Sequence, residues 1–232
     1  MNELDRLPIP LLEWYRDNAR ALPWRPVPGS RTLGDPYRVW VSEIMLQQTR
    51  VAAVLDYYQR FMAALPTVEA LAAVEEDRLM KLWQGLGYYN RARNLRKAAQ
   101  QITGECGGLF PDTYEGLLAL AGVGEYTAGA IASIAFGAPV PAVDGNVLRV
   151  VSRITGDEGD IARPETKKRM RSALQAVMPR QDPGDFNQAM MELGAMVCLP
   201  NGAPRCEACP AGGFCRARRE ERTGQLLSLI HI

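Results

Sequence analysis

The chain has 232 residues, 47% of them hydrophobic, and its 27 basic and 26 acidic side chains leave a formal net charge of +1. A chain of this size buries roughly 70% of its unfolded surface, enough for one large domain or two intimate ones. Its balanced charge excludes a globally basic polyanion binder, so any nucleic-acid affinity must come from local patches. The single histidine, His231, argues against Ser-His-Asp, Cys-His and histidine-ligated zinc chemistry. The absence of both an apolar run near the ~20 residues of a bilayer span and a signal-peptide pattern points to a soluble, cytoplasmic protein.

Helix signals dominate, and nothing reads as period-two strands. Asp35-Pro36 is an N-cap followed by a first-turn proline, and Val39, Trp40, Ile44 and Leu46 begin a buried helix. Thr49 is expected to cap the next helix, through Phe61, and Thr67 the one after. Gly85 and Gly87 should stop the helix holding Leu79, Leu82 and Trp83. A helix is predicted from Asn90 to Ile102, followed by the glycine-rich loop Gly104 to Gly108 and the segment Pro111 to Leu120. After the turn Gly122-Val123-Gly124 comes a small-residue helix, Tyr126 to Phe136. Helices then follow at Asn146 to Ile154, Pro164 to Val177 and Phe186 to Val197, without internal repeats. The fold class is therefore all-α.

Two basic stretches are candidate phosphate-facing patches: Arg91, Arg93, Arg96 and Lys97, and Arg163, Lys167, Lys168, Arg169 and Arg171. Taken alone, each reads first as a solvated helix face.

Cys198, Cys206, Cys209 and Cys215 form a C-x7-C-x2-C-x5-C run, a spacing that marks a metal site. Four thiolates suit structural zinc and an iron–sulfur cluster alike. The single C-x2-C unit tilts the spacing slightly toward iron–sulfur, since zinc loops more often pair two such units. Cys106 lies apart and reads as an ordinary side chain.

The run Leu120-Ala-Gly-Val-Gly-Glu-Tyr-Thr-Ala-Gly-Ala-Ile131 reads as helix, hairpin and helix. Backbone N–H groups at Gly122, Val123 and Gly124 would suit one phosphate oxygen, without reading sequence; a plain αα-corner fits the same residues. Asp144, in Val143-Asp-Gly-Asn-Val147, stands where a helix begins, as either a functional carboxylate or an N-cap. Glu43 lies in an otherwise apolar run, Trp40 to Leu46. Burial of a glutamate is costly unless it is paired, and it raises the pKa, keeping a proton available near neutral pH.

These segments together resemble the helix-hairpin-helix DNA glycosylases that carry a four-cysteine cluster loop, a superfamily that includes endonuclease III and MutY. The resemblance runs from about Leu22 to Cys215. It looks like the MutY branch in Leu22-Pro-Trp-Arg25, Val41-Ser-Glu-Ile-Met-Leu-Gln-Gln-Thr49, Trp83-Gln-Gly-Leu-Gly-Tyr-Tyr-Asn-Arg-Ala-Arg-Asn-Leu95 and Phe186-Asn-Gln-Ala-Met-Met-Glu-Leu-Gly194. It implies two helical subdomains. One spans 30–138, with the helix-hairpin-helix at 114–133. The other joins 1–29 to 139–226 and holds the cluster loop at 198–215.

The resemblance also implies an activity: monofunctional hydrolysis of the N-glycosidic bond of adenine mispaired with 8-oxoguanine or guanine, in base excision repair. The lyase relatives place a Schiff-base lysine where this chain has Tyr126. Glu43 would be the general acid for the leaving base, and Asp144 the carboxylate that stabilises the positive sugar. Tyr126 would lie against Asp144, and Asn146 would orient the groups around it. Gln48, Thr49, Leu86 and Tyr88 would enter the duplex beside the orphaned base, while Trp24, Arg25, Leu46 and Gln188 would line an adenine pocket. The cysteines would hold a [4Fe-4S] cluster, with structural zinc as the alternative, and the neighbouring Arg205, Arg216, Arg218 and Arg219 would face phosphates.

The implied partner is double-stranded DNA with a mispaired adenine, bound by a monomer without a nucleotide cofactor or membrane, at the bacterial nucleoid. The family pattern has six residues between the first two cysteines, and this chain has seven; Pro26, Pro28 and Gly29 read as a surface insertion. Relatives carry a C-terminal domain for 8-oxoguanine that is expected to be missing here, with poorer mispair discrimination as the result. Residues 227–232 (LSLIHI) read as a non-native tail, the natural frame continuing past about Gln225. The rival readings are an endonuclease III-like glycosylase/lyase and a non-catalytic DNA-binding module.

Overall fold

A computed structural model describes residues 3–226, so the tail expected at 227–232 lies outside the described residues. In chain order the helices are α1 (Pro8–Asn18), α2 (Pro36–Leu46), α3 (Val51–Ala64), α4 (Val68–Ala73), α5 (Glu76–Trp83), α6 (Asn90–Glu105), α7 (Tyr114–Leu118), α8 (Glu125–Phe136), α9 (Gly145–Thr155), α10 (Pro164–Val177), α11 (Pro183–Met196) and α12 (Arg216–Arg219). Among the described residues there is no strand, and no helix is long and apolar enough to cross a membrane.

The chain divides into two units. One is built from residues 22–26 and 33–138, the other from 3–21, 27–32 and 139–226. The sequence reading placed 22–26 with the second of these. What draws the segment into the first is Trp24, buried with its ring edge-on to Tyr58 at 4.9 Å.

In the first unit, α2 packs on α8. Asp35 accepts from the Arg38 amide at 2.9 Å and Pro36 opens the helix, so the cap predicted from sequence forms. Residues 37–45 of α2 are all buried except Arg38, because α8 offers Ala128, Gly129, Ala130 and Ala132, whose small side chains let two helices approach closely. Each fully buried large side chain here, such as Trp40 or Met45, contributes about 1.5–3 kcal/mol. Thr67 caps α4, accepting from the Ala70 amide. Thr49 does not cap α3: that helix starts at Val51 without a side-chain cap, and the Thr49 hydroxyl instead donates to the Gln47 carbonyl. Only Tyr114–Leu118 of the stretch 111–120 is α-helix, capped by Thr113.

In the second unit, Leu4, Leu7, Leu11 and Tyr15 join Val147, Val151, Phe186, Leu193, Phe214 and Leu226 in one apolar cluster. Helix α1 was not anticipated, because Pro8 and Pro10 look like breakers; both fall in its first turn, where no amide hydrogen bond is owed. The fully buried Glu192 of α11 is held by a bidentate pair from Arg20, both bonds 2.7 Å. That pairing is what makes an interior carboxylate tolerable.

Candidate active site

In the first unit, Glu43 sits on the buried face of α2, 6% exposed, and Tyr126 stands in the first turn of α8. The Tyr126 hydroxyl donates to Glu43 Oε2 at 2.7 Å. The packing of α2 on α8 thus joins residues 83 positions apart into one acid–phenol pair. The sequence reading set Tyr126 beside Asp144 and did not foresee this bond.

The hairpin between α7 and α8 turns at Gly122, where φ is +74°. A Cβ there would stand 2.6 Å from Asn94 Cβ, so only glycine fits. Gly122 and Gly124 are exposed, whereas Val123 turns its side chain into the core and its amide donates to the Leu120 carbonyl. Val123 is therefore an anchor for the turn rather than an open donor. Gln101 of α6 accepts the Ala121 amide at 2.8 Å and braces the same turn; the polar face of α6 gave no signal of this.

Of the residues expected to enter a duplex, Gln48 and Tyr88 are exposed and Thr49 is half-buried, but Leu86 is only 7% exposed and packs inward. Trp24 is buried, and Arg25 and Leu46 are half-buried, in this unit. The expected basic face of α6 is not free: Arg91 turns inward onto main-chain carbonyls and Arg93 pairs with Glu76.

In the second unit, Asp144 caps α9, its Oδ1 accepting from the Val147 amide at 2.8 Å and its Oδ2 from Asn146 Nδ2 at 3.0 Å. Two acceptor bonds fix the carboxylate's orientation. The preceding strap is tied to α11 by Asn187, which donates to the Val140 carbonyl and accepts from the Ala142 amide. Gly194 lets α11 come close: a Cβ there would lie 2.8 Å from Asn146 Cβ. Gln188 is buried on α11, donating to the Gly184 carbonyl.

Asn146 Oδ1 accepts from Arg149 Nη2 at 2.9 Å. Arg149, 2% exposed, also donates to the carbonyls of Gly194 and Cys198, both at 2.8 Å. An unbroken run of hydrogen bonds therefore leads from Asp144 to the first cysteine. Burial pushes the Arg149 pKa down, partly offset by Cys198 and Asp144. One turn on, Arg153 donates to the Leu199 carbonyl at 2.7 Å and approaches Cys198 Sγ at 3.4 Å. Neither arginine was singled out from sequence, because on a helix they look like surface residues.

Cys198, Cys206, Cys209 and Cys215 line one small cavity of about 20 Å³. They are not disulfide-bonded. Burial pushes the Cys209 thiol up to about 12, and raises Cys206 and Cys215 as well. Such thiols stay protonated at neutral pH unless a metal takes the proton's place. Of the neighbouring arginines expected to face phosphates, three are engaged, Arg216 with Glu220, Arg218 with Glu207 and Arg219 with Glu3, while Arg205 is exposed. On α10, Arg169 pairs with Asp157.

An all-helical fold with a hairpin between two helices, a buried acid on one unit and a capped aspartate on the other matches a known group. The chain belongs to the HhH-GPD superfamily of base excision DNA repair proteins, whose match covers residues 41–179. Its sequence is 46% identical over 222 residues to the adenine DNA glycosylase of Mus musculus, covering 94% of this chain and 43% of that protein. It is also 46% identical over 221 residues to that of Homo sapiens, covering 94% and 40%, and 38% identical over 213 residues to that of Buchnera aphidicola subsp. Acyrthosiphon pisum (strain APS), covering 91% and 59%. The chain thus spans about half the length of the curated relatives it matches. Among solved structures, a thermostable thymine-DNA glycosylase superposes with a TM-score of 0.82 at 26% identity, covering 94% of this chain and 97% of that one. An endonuclease III–DNA complex superposes with a TM-score of 0.74 at 24% identity, covering 95% and 99%, and shares the fold.

Proposed function

We propose that this chain is the catalytic portion of a monofunctional adenine DNA glycosylase, acting as a monomer on double-stranded DNA at adenine opposite 8-oxoguanine or guanine. The observation that carries the reading is the buried Glu43 carboxyl held by the Tyr126 phenol at 2.7 Å. A phenol stands where the lyase relatives have a nucleophilic lysine, so no Schiff base forms and the DNA strand is left uncut. Similarity to adenine DNA glycosylases along 94% of the chain supports the choice of base.

The chemistry follows from charge. As the bond between the sugar C1′ and the adenine nitrogen breaks, electrons pass to the base and positive charge grows on the sugar. Glu43 gives its proton to the departing adenine, Asp144 stays anionic and stabilises the cationic sugar, and water adds at C1′, its released proton restoring the Glu43 acid. Asn146 holds one Asp144 oxygen in place. The base must leave the stack first, at a cost of a few kcal/mol; Gln48, Thr49 and Tyr88 fill the space, and the Gly122–Gly124 hairpin grips a phosphate. Trp24, Arg25, Leu46 and Gln188 contact the extruded adenine.

The donor set fits a [4Fe-4S] cluster. Four cysteine side chains line one cavity, and four thiolates are the ligand set of such a cluster. Such a cluster would fold the 198–215 loop and fix the carbonyl that Arg149 engages.

Single-turnover cleavage of a duplex carrying adenine opposite 8-oxoguanine tests the reading. Glu43→Gln and Asp144→Asn are each expected to slow base release by about 10²–10⁴-fold while duplex binding persists. Activity retained in both variants removes the mechanism, and efficient borohydride trapping of a protein–DNA adduct favours the lyase reading. Iron and sulfide analysis of purified protein decides the metal; zinc in their place overturns the cluster.

A further inference from the structure

Arg91 opens α6, but its guanidinium is spent on main-chain carbonyls rather than on solvent. Nη1 donates to the carbonyls of Ile44 at 2.9 Å, Met45 at 3.3 Å and Gln47 at 2.5 Å. Nη2 donates to those of Leu86 at 3.1 Å and Gly87 at 3.4 Å. The group also stands 5.6 Å from the ring centres of both Trp83 and Tyr88. One rigid plane therefore ties the end of α2 to the turn between α5 and α6. Desolvation lowers its pKa, the cost of holding a cation against carbonyl dipoles.

Each tied segment carries a non-glycine residue in the left-handed region, Gln48 at φ +57° and Tyr88 at φ +46°. Such a conformation is strained for a side-chain-bearing residue and persists only where the surroundings enforce it. Both side chains are exposed and line one cleft, with Arg91 among its walls. We infer that Arg91 is a positioning residue that sets the spacing of the Gln48 and Tyr88 turns, holding both side chains ready to enter the duplex before DNA arrives. The inference rests on the proposed glycosylase reading and adds to it. Lysine does not substitute, because a point charge with three donors lacks the planar fork that reaches two sets of carbonyls at once.

The test uses the full chain with its metal as purified and a duplex carrying 2-aminopurine, a fluorescent adenine analogue, opposite 8-oxoguanine. Wild-type binding should raise the fluorescence as the base unstacks, and Arg91→Lys should lower that rise at least fivefold. In a Gln48→Ala/Tyr88→Ala background, Arg91→Lys should change nothing further, which a merely structural role does not predict. If Arg91→Lys melts below the assay temperature, Arg91→Gln, which keeps an amide donor without a buried charge, is read in the same cycle. A wild-type-sized rise in the arginine variant overturns this inference alone, as does an equal further loss in the double-alanine background. A wild-type protein that leaves the fluorescence unchanged overturns the extrusion reading and this inference with it.

Discussion

Replacing Arg149 by Met keeps the length of the side chain and removes three hydrogen bonds from a site only 2% exposed. The orphaned acceptors are the carbonyls of Cys198 and Gly194 and the side-chain oxygen of Asn146. Each unsatisfied buried acceptor costs about 1–3 kcal/mol, and because the three share one donor their losses do not add fully, leaving about 3–5 kcal/mol for the set. For a protein of this size about 2–4 °C of melting temperature goes with each kcal/mol, so Arg149→Met should melt about 6–20 °C lower. Differential scanning calorimetry at neutral pH reads this directly. Asn146 loses its anchor as well, so base release in single turnover should slow beyond what the melting shift accounts for at a temperature where the variant is folded. A melting midpoint within about 2 °C of wild type would refute the reasoning, because Arg149 would then be a removable cation rather than the hub of that region.

Tyr126→Phe deletes the donor to Glu43 at constant shape; losing one such bond, about 1–3 kcal/mol, predicts base release slower by roughly 5- to 150-fold with unchanged duplex affinity, and an unchanged single-turnover rate counts against the pair. Gly122→Ala combines a left-handed backbone with a Cβ 2.6 Å from Asn94, so urea unfolding should shift down and duplex affinity fall even for undamaged DNA; equal affinity would show that the hairpin does not grip phosphate. Burial, only partly countered by Arg38, pushes the Tyr58 hydroxyl up to about 12, above the unfolded value near 10. Between these values the folded state holds the extra proton, so stability present below about pH 10 is lost as pH rises toward 12. Denaturant midpoints at pH 8 and pH 11 check this, and Tyr58→Phe should flatten the difference.

Much of the fold was legible because caps and periodicity are local. Asp35 and Thr67 cap as their residue types predict, and α10 begins and ends at Pro164 and Val177 as expected. Helix α1 was not legible, because prolines that end a helix from inside are harmless in its first turn. Glu43 stood out as an acid in an apolar run, but its bond to Tyr126 depends on α2 meeting α8, and helix-on-helix placement has no local signature. Arg91 and Arg149 were hidden for a related reason. Both look like solvated helical cations, and only the arrival of distant carbonyls shows that they are interior. Leu86 and Val123 were expected at a surface and turn into the core, since an apolar residue in a turn is read by sequence only as a loop position.

The core that holds Asp144 draws on residues 3–15 and 147–226. During synthesis Leu4, Leu7 and Leu11 leave the ribosome long before Phe186, Leu193 or Phe214 exist to cover them. Residues 33–138, by contrast, already contain nearly all of their own unit. The contiguous unit is thus placed to fold first, with the leading helix left waiting, its greasy side open to chaperones or to self-association. The aspartate-bearing half would then take shape only once the segment through Leu226 has emerged, well after residues 33–138 have closed on themselves.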